Sequence, residues 1–156
     1  MPRDVVAVGL AIVPFEREHA EGFRSLVGDT LREFGFEPDP QIDPDLVDPA
    51  AVYAALWVAV AGGEVVGSVA LRDLGGNALE LKRMYLHSSQ RGRGLGKQLL
   101  ATALDWARAS GAHVVRLDTS ERMEAAQRLY EVHGFRRVPG EAPRQGQRRL
   151  LYELRL

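Results

Sequence analysis

Apolar residues along the chain switch between two spacings, and the switches mark out the elements. Val5–Val13 is almost continuously apolar and stops at Pro14, which predicts a first strand. Ala20, Phe23, Val27, Leu31 and Phe34 then recur at helical intervals among charges. Glu16–Phe34 therefore reads as an amphipathic helix, with Gly35 just past its end. Ala50–Leu56 adds a helical turn. Trp57–Ala61 and Glu64–Arg72 flank Gly62-Gly63, a tight-hairpin signal, and a second turn at Gly75-Gly76-Asn77 feeds the strand Leu79–Leu86. Leu95, Leu99, Leu100, Ala103, Leu104 and Ala107 form one face of a helix ending near Gly111. His113–Thr119 is the next strand, and Ser120 is the expected N-cap of a helix over Glu121–His133. Phe135–Val138 is a short strand. A polar loop with Gly140, Pro143 and Gly146 leads to the last strand, Leu150–Leu156. The order β-α-(α)-β-β-β-α-β-α-β-β predicts an α/β sheet of mixed direction in a single domain spanning residues 1–156.

Phe36–Pro49 is different in kind. It carries four prolines and five acidic residues (Glu37, Asp39, Asp43, Asp45 and Asp48), so no long regular element fits. Two readings stand side by side: a lid or substrate loop, and a solvated connection with acidic turns.

Composition narrows the classes. At 156 residues, 46% apolar and 26% charged, the chain has the balance of a soluble globular protein. The formal net charge of −1 gives no reason to expect nucleic acid as a partner. There is no cysteine, which excludes disulfides, thiolate metal sites and cysteine nucleophiles. His19, His87, His113 and His133 do not pair at metal-ligand spacing, so no metal is expected. The apolar run Val5–Phe15 is too short for a bilayer span and lacks a signal-peptide cleavage site. A cytoplasmic protein without membrane partners is the expectation.

The candidate chemistry lies in Glu80–Leu104. Arg91-Gly92-Arg93-Gly94-Leu95-Gly96-Lys97 interleaves three glycines with three cations between a strand and a helix. Glycine lets a ligand approach the main chain, and the helix start presents free N–H groups and a positive dipole end, so the stretch suits a phosphate or pyrophosphate. A Walker A loop is excluded, because Arg91 and Gln98 stand where it needs glycine and Ser or Thr. The spacing of Gly92, Gly94 and Gly96 is also wrong for a dinucleotide fingerprint. What fits is Arg-x-x-Gly-x-Gly at Arg91, Gly94 and Gly96.

That pattern, the element order and Leu129-Tyr130-Glu131…Gly134-Phe135 resemble the GCN5-related N-acetyltransferase (GNAT) superfamily over nearly the whole chain. The resemblance implies a mostly antiparallel mixed sheet of about seven strands with helices on both faces. It also implies a splay between the fourth and fifth strands, where the pantetheine arm of acetyl-CoA lies. Cofactor contacts then fall on the backbone of Met84, Tyr85 and Leu86. They continue along Arg91, Gly92, Arg93, Gly94, Leu95, Gly96 and Lys97 for the pyrophosphate. Surface charge is the alternative for Arg91 and Arg93.

Attack of an amine on a thioester requires loss of the ammonium proton, stabilisation of an oxyanion and protonation of the thiolate. Glu80 holds the position of the family's glutamate base, with a salt bridge to Lys82 or Arg72 as its structural alternative. Strand alternation places Glu80 on one face with Lys82, Met84 and Leu86. Tyr130 holds the position of the family's general acid, with a core role as its alternative. Many members carry asparagine where this chain has Met123, so that cofactor contact is lost or moved to Ser120 or the backbone.

The resemblance implies an acetyl-CoA-dependent N-acetyltransferase acting on a small-molecule amine, in a family where homodimers are common. The acidic loop points to a cationic acceptor. A non-catalytic acyl-CoA-binding module and a protein or peptide N-acetyltransferase are the alternatives; an ordered 36–49 loop closing a small pocket would separate the last from the first.

Overall fold

The structure, a computed structural model, describes residues 4–7, 9–140 and 144–156. The elements in order are β1 (Asp4–Ala7), β2 (Leu10–Pro14), α1 (Ala20–Glu33), α2 (Pro49–Val52), β3 (Ala55–Ala61), β4 (Glu64–Gly75) and β5 (Ala78–Leu86). They continue with α3 (Leu95–Ala109), β6 (Val114–Ser120), α4 (Glu124–Val132), β7 (Arg136–Val138) and β8 (Arg149–Arg155). Eight strands form one sheet in the order β1-β2-β3-β4-β5-β6-β8-β7. All neighbours are antiparallel except β5 and β6, which run parallel. The strand expected over Val5–Val13 is a hairpin instead: the chain turns at Gly9, whose φ is +79°, and β1 pairs back on β2. Val8 and Pro143 lie outside the described residues.

Two apolar cores sandwich the sheet. On one face Phe23, Val27 and Leu31 of α1 pack with Phe36, Val58 and Ala70. On the other, Leu95, Leu99, Leu100 and Ala103 of α3 pack with Leu79, Leu81, Tyr130 and Tyr152. The helical stripes read from sequence are therefore the buried faces of both long helices. Ser120 does not cap α4. Its hydroxyl accepts from the Arg122 N–H at 3.1 Å in a preceding turn, and Met123 occupies the cap. No helix among the described residues is long and apolar enough to cross a membrane.

Two irregularities in β5 place the site. Ala70 pairs with Lys82 and Ser68 with Tyr85, so Arg83 and Met84 together oppose Val69, a β-bulge. Arg83 takes a φ of +52°, uncommon for a residue with a Cβ. The extra residue inverts the alternation expected from sequence. Lys82 and Tyr85 share the α1 face with Glu80, whereas Met84 and Leu86 join Leu79 and Leu81 on the α3 face. Then β5 and β6 part. They pair only from Ala78–Val114 to Glu80–Arg116; beyond that β5 stays with β4 and β6 with β8. The sheet forks, as the splay between the fourth and fifth predicted strands required.

Candidate functional site

The fork opens an edge of β5 from Leu81 onward. The His87 N–H donates to the Val66 carbonyl at 2.8 Å, so in an antiparallel ladder the polar groups of the intervening Leu86 turn to the open side. Two cavities flank this edge. One, of about 380 Å³, is bordered by Lys82, Arg83 and Tyr85 on β5, Asp118 and Thr119 on β6, and Tyr130. The other, of about 430 Å³, runs between Leu86, Gly92 and Gly96 on one side and Ala126 and Leu129 of α4 on the other. Met84, Tyr85 and Met123 border both, so the cavities meet there.

The glycine loop has features that suit an anion. Gly92 and Gly94 have φ of +76° and +83°, and Gly94 caps α3 without a side chain. Among the described residues, the N–H groups from Gly92 to Lys97 find no backbone acceptor; the first helical bond comes from Gln98 to Gly94. A run of unpaired N–H groups at the start of a 15-residue helix favours an anion. A Cβ on Gly96 would lie 3.5 Å from the side chains of Leu129, Leu86 and Met84, so its absence keeps the second cavity open. The three cations differ. Arg91 is engaged: its guanidinium donates twice to Glu33 of α1, at 2.5 and 2.7 Å, and once to the Leu86 carbonyl at 3.0 Å. The hydrogen bond from Arg91 lowers the Glu33 pKa. Arg93 and Lys97 have no partner among the described residues, which leaves their charge to a ligand.

Tyr130 is only 5% exposed, with its ring against Phe135 and Tyr152, yet it borders the first cavity. Its hydroxyl makes no hydrogen bond to a described residue. Burial pushes the phenol well above its usual range, Tyr85 and Asp118 add to this, and Arg149 opposes it. Burial thus keeps the hydroxyl in its protonated form. Glu80 sits at the closed end of the fork, where Arg72 donates to it at 2.9 Å, and it borders neither cavity. Met123 is buried at the junction and its sulfur accepts from the Thr119 hydroxyl at 3.7 Å.

Phe36–Pro49 is tied down by ions. Arg83 reaches Asp43 at 2.8 Å and Asp45 at 2.7 and 2.8 Å; Arg144 grips both oxygens of Asp43 at 2.6 Å. Tyr53 donates to Asp45 at 2.5 Å. Asp43, Asp45 and Arg83 are buried, at 1%, 2% and 6% exposure. Burial alone would raise both carboxyls; hydrogen bonds from Arg144 and Arg83 to Asp43, and from Arg83 to Asp45, outweigh it, holding Asp43 well below the usual carboxylate range and Asp45 below its ordinary value. Asp43 and Asp45 thus serve as internal counter-ions, which removes these two as ground for expecting a cationic acceptor. Arg144, Arg149 and Asp118 around the first cavity went unnoticed in the sequence, since an ion pair spanning 101 residues leaves no local signal. No cluster of three metal-ligating side chains exists among the described residues.

The chain is similar to known proteins in sequence and in fold. The profile of the "Acetyltransferase (GNAT) family" matches residues 19–135. N-acetylaspartate synthetase of Danio rerio is 38% identical over 106 residues, 64% of this chain and 38% of that protein. N-acetyltransferase 8F1 of Mus musculus is 37% identical over 107 residues, 62% of this chain and 48% of that protein. The chain spans less than half the length of either relative. Among solved structures, an acetyltransferase of the GNAT family from Staphylococcus aureus Mu50 superposes with a TM-score of 0.84 at 23% identity, over 94% of this chain and 98% of that one. Salmonella typhimurium yncA, solved with its cofactor acetyl-CoA, gives a TM-score of 0.73 at 19% identity over 94% of each chain. At these identities the structures establish a common fold.

Proposed function

Because this chain belongs to the acetyltransferase (GNAT) family, we propose that it transfers an acetyl group from acetyl-CoA to the primary amine of a small molecule, by direct attack in a ternary complex. The observation that carries this reading is the pair of cavities meeting at Met84, Tyr85 and Met123, one leading to the glycine loop and the other to Tyr130. The donor supplies an activated acetyl group. In this reading the open edge of β5 at Met84, Tyr85 and Leu86 receives the pantetheine amides, which have both donors and acceptors to match an unpaired strand. The N–H groups from Gly92 through Lys97 hold the pyrophosphate, Arg93 and Lys97 neutralise it, and Arg91 fixes the loop to α1 and completes the cradle.

The first cavity takes the amine. Its volume of about 380 Å³ and the ion-paired 36–49 segment beside it favour a small acceptor over an extended peptide. Tyr130 holds a proton at its hydroxyl for the departing thiolate. Glu80 takes the ammonium proton through a water, since it does not border the cavity itself. A second reading gives that role to Asp118, which does border it. A cytoplasmic location and a homodimer belong to the same proposal.

The test is thiol release from acetyl-CoA against a panel of amines, run beside Tyr130→Phe with acetyl-CoA affinity measured by calorimetry. Turnover reduced about 10²–10⁴-fold in the variant, at unchanged cofactor affinity, is the expected result. Tight acetyl-CoA binding without turnover on any amine would favour a non-catalytic acyl-CoA module. No binding would overturn the reading of the loop.

A further inference from the structure

We propose that the acceptor amine carries a carboxylate and that Lys82 is the residue that recognises it; this rests on the acetyl-transfer reading of the same cavity. Four cationic side chains border the cavity: Lys82, Arg83, Arg144 and Arg149. Three are already neutralised. Arg83 and Arg144 share Asp43 and Asp45 in the buried network. Arg149 binds Asp118 through its Nε at 2.9 Å, and its second contact is to the Asp118 carbonyl at 3.2 Å. Lys82 has no hydrogen bond or ion pair to any described residue. Among the described residues, one unit of positive charge therefore faces the cavity uncompensated, on a half-buried side chain.

The sign of that charge selects the ligand. A polyamine would bring further positive charge into a site that repels it. A carboxylate matches the single free ammonium in magnitude, whereas a phosphate dianion would leave excess charge in a partly desolvated site. The bulge at Arg83 supports the assignment, because Lys82 and Tyr85 share the α1 face of β5. The chemistry points to an amino acid or a similarly short amino carboxylate.

The experiment pairs β-alanine, L-leucine and L-phenylalanine each with its carboxamide, with spermidine as the polycation. Each is assayed by thiol release from acetyl-CoA and by calorimetric binding to the CoA-loaded protein, with wild type and Lys82→Gln. At least one carboxylate is expected to bind and react about tenfold better than its amide. Lys82→Gln should raise its KM and Kd about tenfold or more without moving acetyl-CoA affinity, because Lys82 does not border the cofactor groove. Preference for spermidine or a carboxamide, an unmoved Kd in Lys82→Gln, or binding of no carboxylate would overturn the inference. Acetyl transfer to spermidine alone would do so while keeping the enzyme. Carboxylate binding that depends on Lys82 without any transfer would keep the recognition site and sink the acetyltransferase reading.

Discussion

At the residue scale, Glu80 and Asp118 contrast in place and partner. Each is a carboxylate held by an arginine at 2.9 Å, Glu80 by Arg72 and Asp118 by Arg149. Glu80 lies where β5 and β6 are still paired, and Asp118 lies beyond the point where they part. A base must be ionised to work, so its removal abolishes the acidic limb of the pH–rate profile. With Glu80 as base through water, Glu80→Gln is expected to lower kcat/KM about 10²-fold or more and flatten that limb. Asp118→Asn should act mainly on the acceptor KM, by freeing Arg149. If Asp118→Asn instead flattens the acidic limb while Glu80→Gln leaves it intact, the base is Asp118. Glu80 was singled out from the sequence, and Asp118 was not. The fork alone decides which of them faces the cavity, because a strand's side chains gain access only where its neighbour departs.

At the scale of elements, the bulge in β5 and the 36–49 segment form one unit. The Arg83 side chain ends between two buried carboxylates, and its carbonyl accepts from the Ser68 hydroxyl at 2.6 Å. Removing one partner from such a network strands buried charge. Arg83→Ala is therefore expected to lose about 3–5 kcal/mol in urea denaturation. The exposed Arg91–Glu33 pair, at 37% and 43% exposure, should contribute no more than about 1 kcal/mol when tested the same way. The buried acids also set the acid limit. Their folded pKa values lie below the unfolded ones, so their contribution is complete above the ordinary carboxylate range near about 4. It is lost as pH falls through the folded values, because the unfolded chain then binds more protons. Denaturation at neutral and acid pH should show stability declining below about pH 5, and a shallower decline in Asp43→Asn. An unchanged slope would mean the network does not govern acid stability.

At the scale of the whole molecule, the fork ties cofactor binding to stability. Acetyl-CoA would span the glycine loop, the open edge of β5 and the start of α4, which border the same groove. Binding at about 100 times Kd should stabilise the protein by about 2.7 kcal/mol, a rise in Tm of several degrees by scanning fluorimetry. Arg93→Ala with Lys97→Ala should remove most of that rise, and an undiminished rise would mean these cations do not meet the pyrophosphate. The helices, the hairpins and the glycine loop were legible in the sequence, because apolar spacing, Gly-Gly turns and free helix N–H groups are set within a few residues. The first hairpin was not, since Gly9 interrupts a run that is otherwise wholly apolar and mostly β-branched. Nor was the inverted face of Met84 and Leu86. One residue at positive φ shifts the register of everything after it, and that conformation is held by Asp43 and Asp45 some 40 positions away. The same distance hid the use of the acidic loop. A run of aspartates reads as a surface for cations until folding supplies arginines to bury against it. Sequence thus determined the elements and the glycine loop, whose physics is local. Tertiary structure alone decided the charge of the first cavity, because neutralisation depends on which charges meet.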